Sequence, residues 1–179
     1  MDLQLFNSKQ LHILGEALDI AEDSTSNYFK LSQSQWSQHR FDVKTLSSLF
    51  GGDIRDNIFA LLKKYVPGDD ENDQPLCKKR ELYVICVQDH QILKALQRDK
   101  ELRLLPLLAY ILTHELVHIV RFCKFQIRYD TEEEASRDKE ENIVHHTTHE
   151  ILKELPLSNL AYIIGSYRPE GMSVDLCMI

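Results

Sequence analysis

A chain of 179 residues, 43% hydrophobic and 27% charged, has the balance of an ordinary globular domain. It is long enough to bury a core without disulfides. A formal net charge of -7 argues against general binding to nucleic acid or to anionic membranes, which needs clustered Lys and Arg.

The cysteines, Cys77, Cys86, Cys123 and Cys177, are widely spaced and form no CxxC pair. Cys86 and Cys123 lie in apolar segments and read as reduced core residues. The first ten residues show no basic start followed by an apolar run, so no secretory leader is expected. The longest apolar stretch, residues 104–120, is interrupted by Thr113, His114, Glu115 and His118. That is too polar for a lipid-exposed span. The expectation is a soluble, cytoplasmic protein with no nucleic-acid or membrane partner.

In chain order, Leu11, Ile13, Leu14, Leu18 and Ile20 predict an amphipathic helix over residues 10–21. A polar stretch rich in Ser and Gln follows without clear boundaries. Phe41, Val43 and Leu46 suit a short extended piece or a helix start. Gly51 and Gly52 mark a break. Asp53 can cap a helix over residues 54–65, with Ile58, Leu61 and Leu62 inward. Residues 66–80, with two prolines, a glycine and an acidic cluster, read as a loop. Residues 81–88 (ELYVICVQ) read as a strand, and Asp89 as the cap of a helix through Gln97.

Pro106 suits the first turn of a helix running to about Phe125. That helix is apolar almost all round and belongs in the centre of the domain. A further helix is predicted over residues 131–155, with Val144, Thr148, Ile151 and Leu155 as its buried stripe. A short one spans residues 158–164 before Gly165. The fold expected is mainly α with a small β component, of the α+β class. Residues 1–80 form an N-terminal helical region packed on the core, residues 81–168 a metal-binding core, and residues 169–179 a C-terminal tail. That apolar tail reads as free or as an edge strand. A weaker alternative pairs it with the strand over residues 81–88 and brings the Cys177 thiolate to a metal.

The chemistry lies in Thr113-His114-Glu115-Leu116-Val117-His118. Two histidines at i and i+4 share one helical face, so both imidazoles can reach one ion. Glu115 projects beside that ion without having to bind it, placed to take a proton from an activated water. The simpler reading makes either histidine a satisfied core residue. Burying two imidazoles and a carboxylate in an otherwise apolar helix without a use costs several kcal/mol, about what an unpaired buried carboxylate carries, and this favours metal binding.

A catalytic zinc takes three protein ligands and leaves one position for water. The next helix offers Glu132, Glu133, Glu134, Asp138, Glu140, Glu141, His145, His146 and His149. Glu132 and Glu133 suit a solvated helix N-terminus. Stepping back along the buried stripe from Thr148 reaches Val144 and then Glu141 or Glu140. Glu141 is preferred as the third ligand because His145 follows one turn later on the same face. His145 can serve as a second-layer partner that holds a ligand histidine. Glu140 and His145 stay open as alternatives. His146 and His149 read as solvent-facing.

His114-Glu115-Leu116-Val117-His118, followed on a later helix by Glu141-Asn142-Ile143-Val144-His145, resembles the gluzincin group of zinc metallopeptidases. The resemblance covers residues 82–155. It implies a minimal zincin-like core holding one zinc per chain, with His114, His118 and Glu141 as ligands and Glu115 as general base. It implies hydrolysis of peptide bonds in a peptide or protein substrate. It also implies that an upstream strand, here residues 81–88, lines the cleft and pairs with the extended substrate. The place one turn after the ligand Glu commonly holds Asp in that group and holds His145 here. No third histidine follows His118 at metzincin spacing. An oxyanion-stabilising residue is not fixed, with Tyr129, Tyr162 and Tyr167 as candidates.

Two alternatives accompany the metallopeptidase reading. One is a non-catalytic zinc-binding or interaction protein with a closed site of four ligands, using both Glu141 and His145. The other is a helical di-iron protein, for which Glu115 and His118 supply one Glu-x-x-His element. No second such element is found.

Overall fold

The computed structural model describes residues 3–65, 81–125, 134–166 and 177–178. The loop read at 66–80, the candidates Tyr129, Glu132, Glu133 and Tyr167, and most of the tail lie outside them.

The first helix, α1 (Ser8–Phe29), runs a full turn and more beyond the apolar periodicity that predicts it. Its start is fixed by a capping box. Asn7 Oδ1 accepts from Gln10 N at 3.0 Å, and Gln10 Oε1 accepts from Asn7 N at 2.9 Å. It stops at Lys30, whose φ of 52° is left-handed. Ala17 and Ala21 are fully buried, and their small side chains let α1 lie close against α4 (Leu104–Phe125). A single turn, α2 (Gln33–Trp36), leads into β1 (Phe41–Lys44), the extended alternative for that stretch.

The helix expected over residues 54–65 is instead strand β2 (Ala60–Tyr65), preceded by a 3-10 turn at Gly51–Asp53. Asn57 at φ 67° breaks the chain between them. Residues 58–62 are all buried, and within the strand the side alternates from Ala60 to Leu62. Ala60 and Leu62 join the main core, while Ile58 and Leu61 pack with Val84 and Cys86 on the opposite face of the sheet. A short run that is apolar at every position fits a strand covered on both faces, and periodicity alone cannot tell it from a helix. Asp53 is no cap: its carboxylate pairs with Lys63.

The strand predicted over residues 81–88 is β3 (Leu82–Val87). The sheet order is β1-β3-β2 followed by β4 (Cys177–Met178), with β1 parallel and β2 antiparallel to β3. Both edges of β3 are therefore taken. The expectation that it presents an edge to an extended substrate is corrected by this pairing. The tail contributes β4 (Cys177–Met178), a parallel edge strand whose register partners are Ala60 and Leu61 of β2.

Helix α3 (Asp89–Arg98) has Gln88, not Asp89, at its N-cap. The Asp89 carboxylate is 1% exposed and accepts from Phe6 N at 2.9 Å and from Leu46 N at 3.0 Å. It ties the N-terminal segment and the turn after β1 to the start of α3. Asp89→Ala leaves two buried N–H groups without that acceptor and is expected to cost about 3 kcal/mol or more. An unfolding free energy from urea titration within about 0.5 kcal/mol of wild type, what a neutral surface change gives, would contradict this.

Helix α4 is buried along its whole middle, residues 106–120, with Pro106 in its first turn. Its stretch Leu104–Lys124 is long and apolar enough to cross a membrane by length and composition, and most of it is buried inside the fold. Helix α5 (Glu134–Leu152) packs on it through Val144, Thr148, Ile151 and Leu152. Helix α6 (Leu160–Ser166) closes the core with Leu160, Ile163 and Ile164. The result is mainly helical with a small sheet, an α+β chain. The sheet is built largely from residues 1–80, whose β1 and β2 flank β3.

Candidate metal centre

Helix α4 presents Tyr110, His114 and His118 one turn apart on one face, with Arg121 beyond them. Helix α5 crosses this face in the opposite direction, and the partners descend it in turn. Tyr110 meets His145, His114 and His118 both meet Glu141, and Arg121 meets Glu140.

At the centre, His114 Nε2 lies 3.2 Å from His118 Nε2. Glu141 Oε2 is 3.3 Å from His114 Nε2, and Glu141 Oε1 is 3.1 Å from His118 Nε2. Both imidazoles are fully buried, whereas the Glu141 side chain is 28% exposed. The Nδ1 atoms of His114 and His118 are buried and meet no hydrogen-bond partner among the described residues. The polar contacts of the two rings thus converge through Nε2 on one carboxylate. The His118 ring is also stacked on Phe122, with centroids 5.6 Å apart.

His145 approaches from the α5 side. Its ring centroid is 4.5 Å from that of His114, and its Nε2 is 3.9 Å from Glu141 Oε2. One ligand atom each from His114, Glu141 and His145 lie within 4.8 Å of one another, close enough to hold a metal ion. No family model matches this chain. No curated protein and no solved structure matches it either. The site is therefore read from its own geometry.

The donor set can be tested against zinc. Ligands about 2.0–2.1 Å from a tetrahedral ion stand about 3.3–3.4 Å apart. His114 Nε2 stands 3.2 Å from His118 Nε2, and the two ring nitrogens stand 3.3 and 3.1 Å from one Glu141 oxygen each, at or slightly inside that spacing. Two imidazoles and a carboxylate are also a donor set suited to zinc.

Glu140, the neighbouring candidate, is engaged elsewhere. Arg121 holds it with two parallel bonds, Nε to Oε1 at 2.6 Å and Nη2 to Oε2 at 2.9 Å. Glu115 is fully buried, and its charge is felt both by His118 and by Cys86 across the sheet. Burial, with the carboxylates of Asp53 and Glu115 adding to it, pushes the Cys86 thiol up to about 11. Cys86 packs with Ile58, Leu61 and Val84 on the face of the sheet opposite the main core.

The electrostatics follow the contacts. Burial raises the Glu141 carboxyl, but the bonds from His114 and His118 outweigh it and hold the group well below the usual carboxylate range. Burial works against a charged His118, yet the bond to Glu141 leaves it raised. Burial, reinforced by the nearby His114, lowers His145 to about 3. His145 is thus neutral across the physiological range.

Of the remaining candidates, His146 is exposed and His149 half-buried on α5. Tyr162 is exposed on α6 and donates to Asp99 at 2.7 Å. Sequence reasoning missed Tyr110 and Arg121. Both are signalled by spacing: Tyr110 lies one turn before His114 on the same row, and Arg121 three residues after His118.

Proposed function

We propose that the chain is a zinc-dependent metallopeptidase with a minimal zincin-like core. The observation that carries this reading is the set of three donors, His114 Nε2, His118 Nε2 and Glu141, at the mutual spacing of zinc ligands beside a buried Glu115. His114, His118 and Glu141 would hold the ion. When bound, zinc supplies a Lewis acid that makes water acidic enough to attack at neutral pH and polarises a carbonyl.

The chain's own groups do the rest. Glu115 takes the proton of the attacking water and returns it to the leaving nitrogen. Arg121 keeps Glu140 away from the centre, which leaves one carboxylate between the two histidines. The substrate proposed is a peptide or protein.

Elemental analysis of the full chain purified without added metal should give near one zinc per chain. Hydrolysis of an unfolded protein substrate should stop when a chelator strips the ion and return with stoichiometric zinc. Cleavage that persists after complete chelation would sink the reading.

A second reading is favoured by one observation, the nearness of His145 to His114 and Glu141. With His145 as a fourth ligand the centre would be closed and structural.

A further inference from the structure

Tyr110 is a buried polar residue on the α4 row that the reaction above does not use. Its side chain is 2% exposed, and its hydroxyl lies 3.0 Å from His145 Nδ1. The two rings stack with centroids 6.5 Å apart and planes 26° from parallel. On the other side of the imidazole, Nε2 faces Glu141 Oε2 at 3.9 Å.

A neutral imidazole held this way has two tautomers, and the surroundings separate them. If Tyr110 donates to Nδ1, the ring proton sits on Nε2 and an N–H faces the carboxylate. If Tyr110 accepts, a lone pair on Nε2 faces the same carboxylate. The first arrangement is attractive and the second repulsive, and partial burial enlarges the difference. A protonated ring would carry N–H at both nitrogens, so Nε2 would still be a donor, with Tyr110 then accepting.

Spacing agrees. At 3.9 Å from Glu141 Oε2, Nε2 stands outside the 3.1–3.3 Å of the inner three donors. Exposure agrees as well. The His145 and Glu141 side chains are 10% and 28% exposed, against zero for His114 and His118. His145 and Glu141 are thus the more exposed members of the group.

We propose that Tyr110 donates its hydroxyl hydrogen to Nδ1 of His145 and so fixes His145 as an Nε2–H donor at the open side of the His114–His118–Glu141 group, where it binds the substrate carbonyl oxygen and not the metal. Tyr110 is the positioning residue of this pair. The substrate part rests on the metallopeptidase reading; the tautomer does not.

The deciding experiment is long-range nitrogen-15 NMR of the histidine rings in the full chain, metal-free and loaded with cadmium-113. The expected result is the Nε2–H tautomer for His145 in both states, with cadmium coupling to His114 and His118 and none to His145. Tyr110→Phe should turn His145 into a tautomer mixture. An Nδ1–H tautomer in wild type, or coupling of His145 to cadmium, would overturn the proposal.

Kinetics give a second readout. His145→Ala should lose about 100-fold in kcat with KM little changed and zinc content intact. His145→Gln, which keeps an N–H donor, should recover part of that loss. A His145→Ala variant as poor in zinc as His118→Ala would make His145 a ligand and overturn the proposal. If wild type cleaves no peptide at all, the metallopeptidase reading fails, while the NMR result still decides the place of His145.

Discussion

Glu115→Gln is expected to keep near one zinc per chain and to lose peptide hydrolysis by about 10³-fold or more, the order general-base removal produces. The substitution is nearly isosteric, and the residue is fully buried within α4. An amide there fills the same space but cannot accept a proton. The three proposed ligands sit on other side chains, so zinc binding should hold. Thermal unfolding should be little changed or shifted upward, since a buried carboxylate is costly to desolvate. Zinc content, melting temperature and turnover are to be measured on one preparation. Turnover within tenfold of wild type at full zinc occupancy would remove Glu115 from its role.

His118→Ala and Glu141→Ala are each expected to drop zinc from near one per chain to near zero after dialysis. Each leaves two of the three inner donors, and a protein site with two ligands holds zinc far more weakly. Glu140→Ala is the control. Its carboxylate is clamped by Arg121 at 2.6 and 2.9 Å, so its loss should leave zinc in place. Because zinc binds the folded chain, its removal should also lower the unfolding temperature of wild type but not of the two ligand variants. Full zinc retention in His118→Ala would rule out this centre.

The parts that sequence made legible are those governed by one helix at a time. The spacing of His114 and His118, the all-round apolar character of α4 and the Val144–Thr148–Ile151 stripe of α5 are local patterns, and the helices follow them. The misreadings come where partners decide. Residues 58–62 are apolar at each position, and only the pairing with β3 makes them a strand. That β3 has neighbours on both sides cannot be read from its own residues. The stripe of α5 left open which of Glu140 and Glu141 faces inward. What separates them is Arg121, on another helix and 19 positions away. Tyr110 shares the face of the histidines, but a tyrosine in an apolar helix looks like packing until its hydroxyl is seen against His145.

The Asp89 carboxylate has a bearing on the order in which this chain can fold. It bonds residues 83 and 43 positions earlier, and β3, just before it, needs β1 from the same distant stretch. Contacts of such long sequence separation are slow to form, because loop closure must precede the gain. Helices α4 and α5 meet across 19 to 35 positions, fewer than separate Asp89 from Phe6 or Leu46, and can bring the histidines to Glu141 before β1 and the N-terminal segment are in place. A zinc-competent helix pair would then precede the β-layer during folding. Metal supplied at the start of refolding should speed the appearance of native structure, and metal supplied after the sheet has closed should leave that rate unchanged.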